Sequence, residues 1–139
     1  MTRRTALFTL CAASAIAAVP AQEVWDVVTV MAAALGTGDA GEFLAMCDPG
    51  TPGYALLRAN VTALVAQADV ESGIDPVQNT GDDRARQIVV DWQLQLVDRS
   101  ALQRVTRRRE AVTCALAKRR GKWKVISIEP VAFFAPVSA

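Results

Sequence analysis

Apolar and polar residues alternate through three segments in the last third of the chain, at 87–96, 110–116 and 122–128. A period of two sends successive side chains to opposite faces, so each segment predicts a strand with one buried face. The connections near 99–101 and 119–121 are short, which makes the strands antiparallel neighbours. Ile88, Val90, Trp92, Leu94 and Leu96 share one face of the first; Arg108, Glu110, Val112, Cys114 and Leu116 share the matching face of the next. A less regular extended stretch precedes them from Val70. There Gly73 and Pro76 predict an edge or bulged strand, ended by a turn at 79–83.

The first half carries a helical period instead. Val24, Val28, Met31 and Leu35 form one stripe with Trp25 beside it, predicting a helix over about 23–35 that Gly36 and Gly38 end. Asp39 and Glu42 have capping-box spacing and open a short second helix with Phe43, Leu44 and Cys47 inward. Asp48, Pro49 and Gly50 stop it. Thr51 is then the expected cap of a third helix, with Pro52 at its first position and Leu57, Val61, Leu64 and Ala68 as its buried stripe. Pro130 closes the last strand, leaving an apolar tail over 131–136 with Phe133 and Phe134. The fold class is α+β: three helices, then four antiparallel strands whose apolar face the helices must cover.

The beginning of the chain changes the domain boundaries. Arg3 and Arg4 precede an apolar, alanine-rich run over 6–19, and Val19-Pro20-Ala21 offers small residues where a signal peptidase cuts. The expectation is a signal peptide at 1–21 and one domain at 22–139, exported to the periplasm or secreted, with no membrane span after cleavage. Thr2-Arg3-Arg4-Thr5 admits the twin-arginine route.

Charge divides unevenly. Residues 22–98 hold three basic and twelve acidic side chains, residues 99–139 ten basic and two acidic. The halves should attract each other on folding, while the near-neutral total argues against nucleic acid as a partner. The runs at 107–109 and 118–120 lack interleaved aromatics and read as a solvated strand end and a charged turn. Cys47 and Cys114 remain after cleavage; an oxidising compartment admits a disulfide, and two separate buried thiols are the other reading. The chain has no histidine and no Cys-x-x-Cys, so neither a metal nor another cofactor is expected.

The segment Gly38-Asp39-Ala40-Gly41-Glu42-Phe43-Leu44, the strand Val90-Asp91-Trp92-Gln93-Leu94 and the ending Gly121-Lys122-Trp123-Lys124-Val125-Ile126 resemble the nuclear transport factor 2-like superfamily, also called SnoaL-like or ketosteroid-isomerase-like. The resemblance implies a cystatin-like cone, with the N-terminal helices packed in the concave face of a strongly curved sheet. It also implies a pocket at the open end and, in many members, a dimer. Its enzymes' catalytic segments have no match here, so no catalytic residue carries over.

Pairing the last two strands through a turn at 119–121 sets Leu116 beside Trp123, Cys114 beside Val125, Val112 beside Ser127 and Glu110 beside Glu129. Glu110 and Glu129 are then the candidate acid/base pair, with Arg108 on the same face to neutralise them. Tyr54, Trp92, Arg108, Glu110, Ser127 and Glu129 form the expected ligand-binding set. The opposite sheet face carries Val89, Thr113, Ala115, Ile126 and Ile128, apolar enough for a homodimer. The leading functional expectation is an exported domain that binds a small apolar ligand or a partner segment in the cone without catalysis. A lyase or isomerase using Glu110 or Glu129, and a basic surface docking on envelope components, are the alternatives.

Overall fold

The computed structural model describes the backbone of residues 2–137 and the side chains of residues 19–137. Helix α1 spans Thr2–Thr37, α2 Ala40–Ala45 and α3 Tyr54–Gln67. Strands β1 (Ala68–Gly81), β2 (Ala85–Asp98), β3 (Val105–Arg119) and β4 (Lys122–Glu129) follow, and a 3-10 turn, Val131–Phe134, ends the order. The sheet is a plain antiparallel meander, β1-β2-β3-β4. Its inner face and the helices enclose one core. Every predicted inward residue of β2, and Val112, Cys114 and Leu116 of β3, is buried there with Val24, Val28, Met31 and Leu35 of α1.

Local chemistry explains most boundaries. α1 ends in a left-handed Gly38 (φ 74°), with Gly38 N–H bonded to Leu35 O at 3.2 Å and Asp39 N–H to Ala34 O at 2.9 Å. These are the paired bonds of a Schellman ending. The Asp39 carboxylate then accepts the Glu42 N–H at 2.9 Å and opens α2. α1 starts well before residue 23 and runs through Pro20. The basic end and nearly all of the apolar run of the expected signal peptide lie outside the described side chains. Val24 is the first buried side chain among those described, so a cut after Ala21 removes none of the described core.

Two expectations are corrected. Thr51 does not cap α3; that place belongs to Gly53 at φ 74°. Thr51 is 4% exposed, and its hydroxyl donates to Val125 O at 2.9 Å, fastening the α2–α3 loop to β4. The β3–β4 pairing also differs. Arg120 and Gly121 both have positive φ in a two-residue turn, so Arg119 faces Lys122, Lys118 faces Trp123 and Leu116 faces Val125. A bulge between Ala115 and Leu116 then places Ala115 opposite Ser127, Cys114 opposite Ile128 and Thr113 opposite Glu129. The extra residue reverses the faces beyond it. Ile128 is therefore core, 2% exposed, rather than part of the outer face, and Ser127 turns outward with Ala115.

The tail enters the molecule. Phe134 is fully buried and meets Trp92 at a ring-centroid distance of 5.0 Å, Phe43 at 5.4 Å and Phe133 at 5.2 Å, all edge to face. Arg108 donates to the carbonyls of Phe133 and Ala135, and the Gln67 amide exchanges two bonds of 2.8 Å with Val137. These aromatic rings occupy the cone where a pocket was expected.

Candidate functional site

Of the expected site residues, only Arg108 and Glu110 share a cavity, a shallow one of about 430 Å³ beside the tail; the others do not join them. Trp92 is core, with its indole N–H given to Ser72 at 2.9 Å. Glu110 pairs across from Trp92, and Glu129 across from Thr113, on opposite sheet faces; both carboxylates are exposed. They are not neighbours, because the bulge and the tighter turn move β4 along β3. Arg108 is half-buried on the tail's carbonyls, and burial holds its guanidinium below the ordinary arginine range. Arg107 reaches Gln95 at 3.2 Å and Arg109 grips Asp91 with three bonds of 2.7–3.1 Å, so the basic run is split between faces as alternation predicts.

Tyr54 lies elsewhere, on the wall of a cleft of about 1100 Å³ at the β4 edge. That edge is built by the α2–α3 loop. Asp48 N–H bonds Val125 O at 2.8 Å and Val125 N–H bonds Met46 O at 2.9 Å, laying the loop parallel to β4. One wall is mostly apolar, formed by Gly41, Leu44, Ala45, Pro49 and Tyr54. The other is the β3–β4 hairpin, which contributes Arg119, Arg120, Lys122 and Lys124.

Asp48 is the cleft's one carboxylate. It accepts the Gly50 N–H at 2.8 Å and Arg119 Nε at 3.2 Å, which hold its carboxyl below the usual range. Lys124 donates to Ala45 O at the end of α2. Among the described residues, Arg120 and Lys122 make no ion pair. The cleft therefore keeps a positive excess after its internal pair is satisfied, an arrangement suited to an anion beside an apolar surface.

Sequence reasoning passed over this site. The charges of 118–120 were visible, but a charged turn is usually solvated. The usable signal was Arg-Gly at the tip of a hairpin whose next basic residues, Lys122 and Lys124, alternate with buried Trp123 and Val125. The chain's charge asymmetry is expressed in contacts. Each of the three ion pairs among the described residues, Arg99–Asp69, Arg109–Asp91 and Arg119–Asp48, joins the basic half to the acidic half.

Cys47 and Cys114 are free thiols, both buried, and burial pushes each up to about 12. Among the described residues no cluster of Cys, Asp and Glu is arranged to hold a metal ion, and no helix is long and apolar enough to cross a membrane.

No family model and no curated protein matches the sequence. Solved structures do match the fold. A nuclear transport factor 2-like superfamily protein from Salmonella enterica aligns over 88% of this chain and 94% of its own, with TM-score 0.66 and 13% identity. A putative aromatic ring hydroxylase from Novosphingobium aromaticivorans aligns over 77% and 84%, with TM-score 0.64 and 11% identity. A hexachlorocyclohexane dehydrochlorinase, LinA type 2, aligns over 77% and 80%, with TM-score 0.63 and 10% identity. The chain has the nuclear transport factor 2-like fold, a scaffold that carries enzymes and proteins of unknown function alike.

Proposed function

We propose that this chain is an exported binding domain that takes its ligand or partner at the rim cleft rather than inside the cone. One observation carries the reading: Phe134 and Trp92, fully buried and edge to face, occupy the cone's interior, while a large cleft with unpaired cations stands open at the β4 edge. This reading moves the ligand from the cone to the rim and takes up the basic-surface alternative there. No observation favours the lyase or isomerase reading, since Glu110 and Glu129 are separated and exposed.

Export rests on Arg3-Arg4, the apolar run and Val19-Pro20-Ala21. N-terminal sequencing of the protein made in its native host should begin at Gln22; uncut protein retained in the cytoplasm would overturn it. The outer sheet face, now Val89, Thr113, Ala115 and Ile126, is the surface we assign to a homodimer.

Native mass spectrometry of the mature protein tests the site. A small molecule should be retained, should be lost from the double variant Arg120→Gln, Lys122→Gln, and should persist in Glu110→Gln. Retention that ignores the hairpin charges, or that depends on Glu110, would contradict the reading. The same spectra report whether two copies associate.

A further inference from the structure

We infer that the rim cleft recognises an amphiphilic anion, a single acidic headgroup on an apolar body; this rests on the binding reading above and gives it a ligand class. The two walls differ in chemistry, and the difference decides the class. Against the hairpin, a ligand meets guanidinium and ammonium groups; against α2, the loop after it and the start of α3 it meets Leu44, Pro49 and the ring of Tyr54. A purely apolar molecule would desolvate Arg120 and Lys122 with nothing in return. A small inorganic anion would leave the Leu44–Tyr54 wall unused. A molecule with both parts satisfies both walls.

The positions of the cations support a built site. Arg119 is held by Asp48 at 3.2 Å and Lys124 by Ala45 O, so two of the four are positioned by the protein itself. Arg120 sits at φ 54° at the first central position of the turn, where Asn or Gly is conformationally cheaper. Its planar fork matches a carboxylate or phosphate with two parallel bonds. Lys122, across the turn, adds a second charge-assisted donor. Behind them the floor is stiff, since Thr51, Asp48 and Met46 all bond to Val125.

Such a headgroup occurs on free amphiphiles and on bilayer lipids, and the same titrations separate the sources. Octyl phosphate and octanoate, added as monomers to the mature protein, should bind one per chain by calorimetry. Inorganic phosphate and octyltrimethylammonium should each bind at least roughly tenfold more weakly, because each lacks one of the two recognised parts. Arg120→Gln with Lys122→Gln should weaken octyl phosphate by roughly tenfold or more while leaving the thermal melt unchanged, both residues being exposed. Raising the salt should weaken binding in the unaltered protein and do little in the double variant. Added phosphatidylglycerol vesicles that bind as well assign the source to a bilayer; vesicles that do not bind assign it to a free amphiphile.

Octyl phosphate binding no tighter than inorganic phosphate, or unaffected by the double variant, would overturn the inference. If neither octyl compound binds but a co-purified molecule is still lost from the double variant, the class is wrong and the rim site stands. If that molecule is indifferent to the hairpin, the site itself is wrong.

Discussion

Replacing Trp92 with alanine should cost about 3–5 kcal/mol of stability, the range for truncating a fully buried large aromatic. Trp92 has no exposed surface, packs on Phe134 at 5.0 Å and Phe43 at 6.5 Å, and gives its indole N–H to Ser72. Its removal opens a void among side chains fixed by three different elements, so collapse around it is limited. It also removes the hydrogen bond to the Ser72 hydroxyl. Urea denaturation of the variant gives the number, and a loss under about 1 kcal/mol would mean that the β2 faces are reversed.

The second large effect is alkaline. An unfolded cysteine loses its proton near pH 8.5, whereas Cys47 and Cys114 are raised to about 12 by burial. Folding keeps both thiols neutral, so the stability they contribute is complete below the unfolded value. It is lost as pH rises through the window between the two values, because only the unfolded state releases protons there. Each thiol should remove about 1.4 kcal/mol per pH unit within that window. Between roughly pH 9 and 10.5 the pair should therefore lower the melting temperature steeply. Cys47→Ala combined with Cys114→Val should flatten the slope, though the shape changes lower stability at neutral pH. An equally steep alkaline slope in the double variant would assign it to other groups. The same burial predicts that Cys114 does not react with an alkylating reagent until the protein opens.

Much of the fold was legible because its signals are local and redundant. The β2 pattern from Ile88 to Leu96 alternates without a fault, and every inward residue it names is buried. The Gly38 ending and the Asp39 cap are short-range chemistry that needs no tertiary context. β1 is legible in outline, since Gly73 and Pro76 mark the edge strand and its bulge between Pro76 and Gln78, beside Val77, which is 62% exposed. Its outer residues carry no apolar alternation for a period to detect.

The candidate site failed for a different reason. Counting back from the turn pairs Glu110 with Glu129, and such a register fails at the first irregularity. One tighter turn and one bulge moved Ser127 outward, Ile128 inward and the two glutamates apart. No residue type near Ile126 announces that bulge. Nor could a period place the tail: Phe133 and Phe134 are an apolar pair that would suit either face of the sheet. Arg108 and Gln67, which bond the tail's backbone, and the rings of Phe43 and Trp92, which pack on Phe134, hold it in the cone, and all of these partners are distant in sequence. The rim cleft depends on a loop from one half meeting a hairpin from the other, with Asp48 and Arg119 far apart in sequence. Long-range meetings of that kind have no sequence period.

A site at the rim requires that the chain's own aromatic rings fill the cone. Xenon tests it directly, since the gas enters dry apolar voids and leaves packed interiors untouched. Xenon titrated into the unaltered protein, with methyl resonances of Leu57, Ile88 and Val112 observed by NMR, should produce no saturable shift. Phe134→Ala should acquire one as the vacated volume fills. Saturable shifts at those methyls in the unaltered protein would show an interior space open to ligands, and would return the binding site from the rim to the cone.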